Sequence, residues 1–206
     1  MRLHHVLPEY QGQVRLRLRP FPLEVMAGEA PSRAVLDQEW WLAALQEPLA
    51  RFKPFEGEDW PTTTLPAFEV AWFAAQQGEA AFFAFDLRVR QAFFAESRNI
   101  GQLEVLLELA REIGLDLASI RRELDSGGPR EAVLAEARAG QERYRVRGTP
   151  TLMLADGTKL RSPIAFPQMR EHRITGVMPL PCHADECLQA TRELFERALG
   201  VGQHRA

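Results

Sequence analysis

Cysteine is scarce in this chain of 206 residues, since Cys182 and Cys187 are the only two. A small secreted scaffold stapled by several disulfides is therefore excluded. Nowhere do 18 apolar residues run together, and the opening segment MRLHHVLPEYQG has no apolar run of the length that a secretory signal needs. The sequence thus predicts a cytoplasmic protein with no membrane partner.

An excess of charge of one sign is also missing. The chain has 25 Lys and Arg against 28 Asp and Glu, a net charge of −3, and its basic residues are spread along the whole sequence. This distribution predicts no nucleic-acid partner. The hydrophobic fraction of 46% is that of an ordinary globular protein, and the length suffices for one core domain that carries an insertion.

The first regular pattern is VRLRLR, over Val14–Arg19, in which apolar and basic residues alternate strictly. Alternation of this kind predicts a strand with one face in water. Pro20 and Pro22 follow and would end the strand, because neither can donate to a ladder.

Helices are predicted over most of the following sequence. The first covers Ala34–Leu49, with Trp40, Trp41 and Leu45 facing inward. Further apolar stripes at helical spacing are Leu65, Phe68, Trp72, Ala75; Phe82, Phe85, Val89, Phe93; and Leu103, Leu106, Leu107, Ala110, Ile113. We interpret all of these residues as core. We interpret Gly114 as the C-cap of the helix that carries the third stripe.

The period of the pattern changes after residue 146. TPTLMLADGTKL predicts a β-hairpin that turns at Asp156 and Gly157. A last helix is predicted over Ala184–Leu199, with its apolar face made of Cys187, Thr191, Leu194 and Ala198. The predicted order is therefore strand, long helical stretch, hairpin, helix.

Pro150 stands at the start of the hairpin's first strand. Proline donates no hydrogen bond to a ladder and is confined to a strand's first residue, its edge or a bulge. Pro150 is therefore either an ordinary trans residue that begins a strand or part of a functional corner.

These elements resemble the DsbA-like branch of the thioredoxin-fold superfamily, in particular FrnE-type disulfide oxidoreductases and 2-hydroxychromene-2-carboxylate isomerases. VRGTPTLML, RPFPLE and FFAESRNIGQLEVLLELAREIGLDLASI carry the resemblance, which covers nearly the whole chain. It implies an α/β, thioredoxin-like fold with a large all-helical insertion. The thioredoxin-like domain would comprise residues 1–60 and 147–206, and the insertion residues 61–146.

The resemblance also implies a substrate-docking corner at Gly148, Thr149 and Pro150, with a cis Thr149–Pro150 bond. There the backbone N–H and C=O of Thr149 would stay unpaired and could hold an extended ligand by strand addition. The implied partner is a thiol- or disulfide-bearing peptide or small molecule.

The family's nucleophile is missing from this sequence. It is a Cys-x-x-Cys, or a Ser in the isomerases, placed where the first helix begins, because amide groups and the helix dipole there stabilise a thiolate. MRLHHVLPEY resembles the tail of that helix instead. We therefore expect an N-terminally truncated chain that lacks the first strand and the catalytic loop, or a gap filled by another chain or element. An unfilled sheet position also favours a homo-oligomer.

The two cysteines, in CHADEC, resemble a second Cys-x4-Cys that some FrnE-type proteins have. On one continuous helix their side chains would point about 140° apart, so a bond requires Cys182 to lie ahead of the helix. An auxiliary redox pair and a structural clip both remain open. Zinc is the rival interpretation, with His183 and His172 as further ligands, although the spacing is not that of paired structural ligands.

Three functions remain open at this stage. The first is a DsbA-family thiol-disulfide oxidoreductase or isomerase that acts on protein or small-molecule thiols and is inactive or impaired in this chain. The second is a glutathione-dependent isomerase, with glutathione as co-substrate in a groove near the same corner. The third is a non-catalytic binding scaffold. No metal and no other cofactor is predicted.

Overall fold

The computed structural model describes residues 1–10, 12–26, 28, 30, 32–47, 49–160, 167–171, 173–177 and 185–200. The chain divides into two compact units. The first unit comprises Met1–Leu18, Ala34–Ala50 and Val146–Ala206, and the second comprises Arg19–Arg33 and Arg51–Arg145. The division into domains at residues 60 and 147 stays a prediction, because compactness does not show that a unit folds by itself.

Among the described residues the chain forms helices α1 to α9 and strands β1 to β4. The helices are α1 Arg2–Val6, α2 Leu23–Met26, α3 Arg33–Gln46, α4 Leu65–Gln76, α5 Glu79–Glu96, α6 Leu103–Glu112, α7 Leu117–Asp125, α8 Gly128–Glu142 and α9 Asp185–Ala198. The strands are β1 Leu152–Met153, β2 Lys159–Leu160, β3 Pro167–Arg170 and β4 Arg173–Val177.

The core of the second unit lies between α4, α5, α6, α7 and α8. Its most deeply buried apolar side chains are Val70, Ala74, Phe85, Ala92, Leu106, Leu109, Ala110, Ile120, Val133 and Ala137. The predicted core faces of α5 and α6 contain Phe85, Phe93 and Leu106, all of which are buried.

The predicted face of α4 is wrong. Ala67, Val70 and Ala74 are buried, whereas Trp72 is only half-buried and Ala75 is exposed. Apolar side chains occur all round α4, so their spacing does not decide which side packs. The helices packed around α4 determine which of its sides is buried.

Two helix ends of the second unit show how its backbone is satisfied. Gly114 follows α6 with a φ of 81°, and the Leu115 N–H donates to the Ala110 carbonyl at 3.0 Å. Glycine adopts this left-handed conformation without a steric penalty. The helix therefore ends at Gly114 as predicted, although the C-cap residue itself is Ile113 and Gly114 follows it.

The Glu24 carboxylate of α2 caps the N-terminus of α4. Glu24 Oε1 accepts hydrogen bonds from the Thr64 N–H at 2.5 Å, the Leu65 N–H at 3.1 Å and the Thr63 hydroxyl at 2.9 Å. Burial of Glu24 opposes its ionisation, but the bonds from Thr64 and Thr63 outweigh that effect and hold the pKa of the carboxyl below its ordinary value. A negative charge at this helix end also complements the helix dipole.

The first unit contains the strands. β1 pairs with β2, and β3 pairs with β4, each antiparallel, in two separate two-stranded sheets among the described residues. Gly157, with a φ of 89°, lies in the turn between β1 and β2, and the Leu154 N–H donates to the Thr158 carbonyl at 2.9 Å. The predicted hairpin is therefore confirmed.

Helix α9 packs on the N-terminal helices of the same unit. The Tyr10 and Phe195 rings lie 5.2 Å apart between their centroids, and the buried face of α9 consists of Cys187, Thr191 and Phe195. The predicted C-terminal helix is thus confirmed, with Cys187 and Thr191 on its inner side. The rest of its predicted face is wrong, because Leu194 is only half-buried and Ala198 is exposed, while Phe195 is buried.

The strand predicted over Val14–Arg19 is wrong. Burial does alternate, since Val14, Leu16 and Leu18 are half-buried while Arg15 and Arg17 are exposed, but none of these residues is in a strand. The described strands pair only within their own hairpins, so this segment has no neighbour with which to form a ladder.

The predicted inner face of α3 is also partly wrong. Trp40 is buried as expected, but Trp41 is 71% exposed and Leu45 is 69% exposed. The inner side is completed by Leu42 and Gln46 instead. As in α4, apolar residues lie on more than one side of the helix, and the sequence pattern cannot select the side that packs.

No helix within the described ranges combines the length and the apolar character that crossing a bilayer requires.

Candidate functional site

The predicted docking corner follows the end of α8 and precedes β1. Gly148, Thr149 and Pro150 are all exposed, and the Thr149–Pro150 peptide bond is cis. The hairpin that follows fixes the position of this corner, because β1 begins only two residues after Pro150.

The backbone of Thr149 is open to a ligand. Neither its N–H nor its C=O has a hydrogen-bond partner among the residues that the structure describes. The carbonyl of the preceding residue is satisfied, because the Thr151 hydroxyl donates to the Gly148 oxygen at 2.7 Å. One residue of the corner therefore presents both a donor and an acceptor, which is the pair of groups that an extended peptide can bind.

The corner offers backbone groups and the Thr149 hydroxyl, and it contains no thiol, carboxyl or amine side chain. Exposed backbone groups are able to pair with an extended chain whatever its side chains are. Arg147 lies directly before the corner and is exposed, yet it was not among the predicted site residues. The alternation of arginines in RYRVR, residues 143–147, is the signal that could have identified it.

Of the predicted cysteine pair, Cys187 lies on α9, and Cys182 lies outside the described residues. Cys187 is in a disulfide, is 1% exposed, and its carbonyl accepts a hydrogen bond from the Thr191 hydroxyl at 2.8 Å. Among the predicted site residues, the structure thus describes the three consecutive residues of the corner and Cys187.

The residues proposed for zinc cannot be evaluated as a set. His172 and His183 lie outside the described residues, as Cys182 does. Within the described part of the chain, no group of three or more His, Cys, Asp or Glu residues is arranged to hold a metal ion.

The family of the chain follows from its sequence together with this corner. Residues 1–176 match the family model of the DSBA-like thioredoxin domain. The chain belongs to this family. The predicted α/β, thioredoxin-like fold with a helical insertion is thereby confirmed, and the scaffold is of the thiol-disulfide oxidoreductase type.

One relative is "Uncharacterized protein YwbO" of Bacillus subtilis (strain 168), to which the chain is similar. The two are 33% identical over 96 residues, which is 47% of this chain and 46% of that protein. The aligned part is thus less than half of either sequence. Membership of the FrnE-type subfamily stays a prediction.

Proposed function

We propose that this DSBA-like protein docks thiol- or disulfide-bearing peptides on the open backbone of Thr149. The observation that supports the proposal is the exposure of Thr149 together with the lack of a partner for its N–H and C=O among the described residues. A peptide in extended conformation would accept from the N–H and donate to the C=O of this residue.

Docking of this kind is weak by itself. Each of the two hydrogen bonds replaces bonds to water and contributes about 0.5 to 1.5 kcal/mol. Binding also costs the peptide and the protein their freedom of motion. Backbone pairing therefore selects extended segments and orients a cysteine, while affinity has to come from further contacts.

The chain's own thiol chemistry is proposed to be impaired. The sequence contains no Cys-x-x-Cys, and its two cysteines are Cys182 and Cys187.

For these two we propose an auxiliary redox pair. Because Cys187 is buried, exchange would begin at Cys182. A substrate thiolate attacks the Cys182 sulfur and Cys187 leaves as a thiolate. A second substrate thiolate then releases Cys182, so the substrate dithiol is oxidised and the protein disulfide is reduced.

Nuclear magnetic resonance tests the docking step. A peptide with serine in place of its cysteine is titrated into the ¹⁵N-labelled protein, and the Thr149 amide signal is expected to shift in a saturable way. The matched control is the same peptide with an N-methyl group on the paired residue, which cannot donate to the Thr149 carbonyl. An unchanged Thr149 signal, or equal binding of both peptides, would refute the proposal.

Insulin reduction tests the proposed impairment. The 206-residue chain is expected to accelerate the reaction only slightly over dithiothreitol alone. Cys182→Ala and Cys187→Ala are expected to abolish this slight acceleration. Substantial activity that survives both substitutions would contradict the assignment of these cysteines.

The two remaining alternatives differ in what the corner binds. A glutathione-dependent isomerase requires glutathione to perturb the Thr149 amide in the absence of a peptide. A non-catalytic scaffold requires peptide binding with no contribution of either cysteine to insulin reduction.

A further inference from the structure

The approach to the docking corner is basic. Burial alternates over residues 143–147, where Arg143, Arg145 and Arg147 are exposed and the two residues between them are half-buried. Each of these guanidinium groups is thus displayed to solvent along the segment that leads into Thr149.

The three arginines are not equivalent. The Arg143 guanidinium lies 5.3 Å from the centre of the Tyr144 ring, and Arg145 takes part in an interaction within the protein. Arg147 has neither a hydrogen bond nor an ion pair among the residues that the structure describes. Of the three guanidinium groups, that of Arg147 has neither a ring contact nor a polar partner among the described residues.

No described carboxylate forms an ion pair with Arg147, and this includes Glu142, five residues before it in the chain. The nearest acidic residue on its C-terminal side is Asp156, whose Oδ1 accepts from the Thr158 N–H at 2.8 Å within the hairpin turn. The hydrogen bond from Thr158 holds the pKa of Asp156 below its ordinary value, so this carboxylate is occupied in its own turn. An uncompensated cation therefore stands two residues, at most about 7 Å of chain, from the open backbone of Thr149.

We propose that this corner prefers acidic peptides, because Arg147 pairs with a carboxylate about two residues from the docked cysteine. This inference rests on the proposed docking function and specifies its substrate class. A peptide held at Thr149 runs past the preceding residues, so a side chain two positions along it comes within reach of the guanidinium. Guanidinium is well suited to this role, because its planar donors match a carboxylate.

The test uses three redox-silent peptides labelled with fluorescein. Each has serine at its centre and either aspartate, asparagine or lysine two positions to both sides, and affinity is measured by fluorescence anisotropy. The wild-type protein is compared with Arg147→Gln and with the matched control Arg143→Gln, which removes an exposed arginine four residues earlier in the chain.

The wild-type protein is expected to bind the aspartate peptide about two- to fivefold more tightly than the asparagine peptide, the range for one exposed ion pair. The lysine peptide is expected to bind most weakly. Raising the salt concentration to about 0.5 M should remove most of the preference, because the pair is exposed and screened. Arg147→Gln should abolish the preference for the aspartate over the asparagine peptide, whereas Arg143→Gln should retain it.

The outcomes separate this inference from the function on which it rests. Equal binding of the aspartate and asparagine peptides by the wild-type protein would overturn the acidic preference and leave docking intact. A preference that survives Arg147→Gln would overturn the role of this residue. Failure of all three peptides to bind would refute the docking function itself. Circular dichroism of both variants establishes that they remain folded.

Discussion

Two short segments of this chain differ in whether their backbone hydrogen-bonding groups have partners within the protein. At the start of α4, the N–H groups of Thr64 and Leu65 are both taken up by the Glu24 carboxylate. At the docking corner, the N–H and C=O of Thr149 have no partner among the described residues. The first segment uses its backbone groups to hold the second unit together, and the second leaves them exposed and without a described partner.

The comparison separates a segment that contributes to stability from one that, under the proposed function, would bind a ligand. A helix start that lacks its capping acceptor leaves donors unsatisfied and costs stability. An exposed corner residue exchanges hydrogen bonds with water at little cost, so the same groups can remain open. Changes at α4 should therefore affect folding, and changes at residues 147–149 should affect binding.

The largest effect is expected from Glu24→Ala. The substitution removes the acceptor of at least three hydrogen bonds to Thr63, Thr64 and Leu65, and it is expected to lower the free energy of unfolding by about 2 to 3 kcal/mol. Urea denaturation followed by circular dichroism measures the change. A loss below about 0.5 kcal/mol would show that the carboxylate does not hold α4.

The pH dependence of the same contact provides a second measurement. Because the folded-state pKa of Glu24 lies below its ordinary value near 4.5, the ionised carboxylate stabilises the fold at pH values above that value. This contribution is lost as the pH falls through the folded-state pKa. The stability difference between the wild type and Glu24→Gln should therefore be full at pH 7 and should shrink steadily below about pH 4.5.

A smaller effect is expected from Gly101→Ala, and Gly148→Ala is its matched control. A Cβ at Gly101 would lie 2.8 Å from the Thr63 carbonyl oxygen, whereas a Cβ at Gly148 meets nothing within 4 Å. We expect a loss of about 1 to 2 kcal/mol for the first substitution and a change within about 0.5 kcal/mol for the second. Equal losses in thermal unfolding would remove the distinction between the packed segment and the open corner.

The smallest effect is expected from Glu39→Gln on α3. Burial raises the pKa of the half-buried Glu39 carboxyl above its ordinary value. The protonated form is thus the one that suits the fold, and its stabilising contribution, present at low pH, is lost as the pH rises through the folded-state pKa. At pH 7 the neutral glutamine should raise the free energy of unfolding by less than about 1 kcal/mol, and the gain should vanish below about pH 4. A loss of stability at pH 7 would contradict the account.

Local signals in the sequence were enough for several elements. The turn at Asp156 and Gly157 and the helix end at Gly114 were both predicted correctly, because each depends on a residue type with a particular backbone preference. The C-terminal helix was also found, since its apolar residues lie on one side only.

Features that depend on distant partners were missed. The alternation over Val14–Arg19 correctly predicted which side chains are buried, but a strand also needs a neighbour, which no local pattern supplies. Trp41 and Leu45 were placed inward, although they are exposed, because the packing side of an apolar helix is chosen by the elements around it.

The residues of the candidate site also include some that the sequence identified and one that it did not. Thr149 and Pro150 were identified from the motif VRGTPTLML and the family it resembles, and the structure shows the exposed backbone that such a corner needs. Arg147 was missed. The alternation of arginines over residues 143–147 marks the segment in the sequence, but only the folded chain shows that Arg147 is exposed and has no described partner.

Hydrogen exchange of the Thr149 amide tests the central claim most directly. In the free protein this amide should exchange at nearly the rate of an unstructured peptide, while the amides of Thr64 and Leu65 should be strongly protected. Addition of a serine-substituted peptide should slow exchange at Thr149 alone among the three. A Thr149 amide already protected in the free protein, or one that no peptide slows, would contradict the proposal that this residue is the docking point.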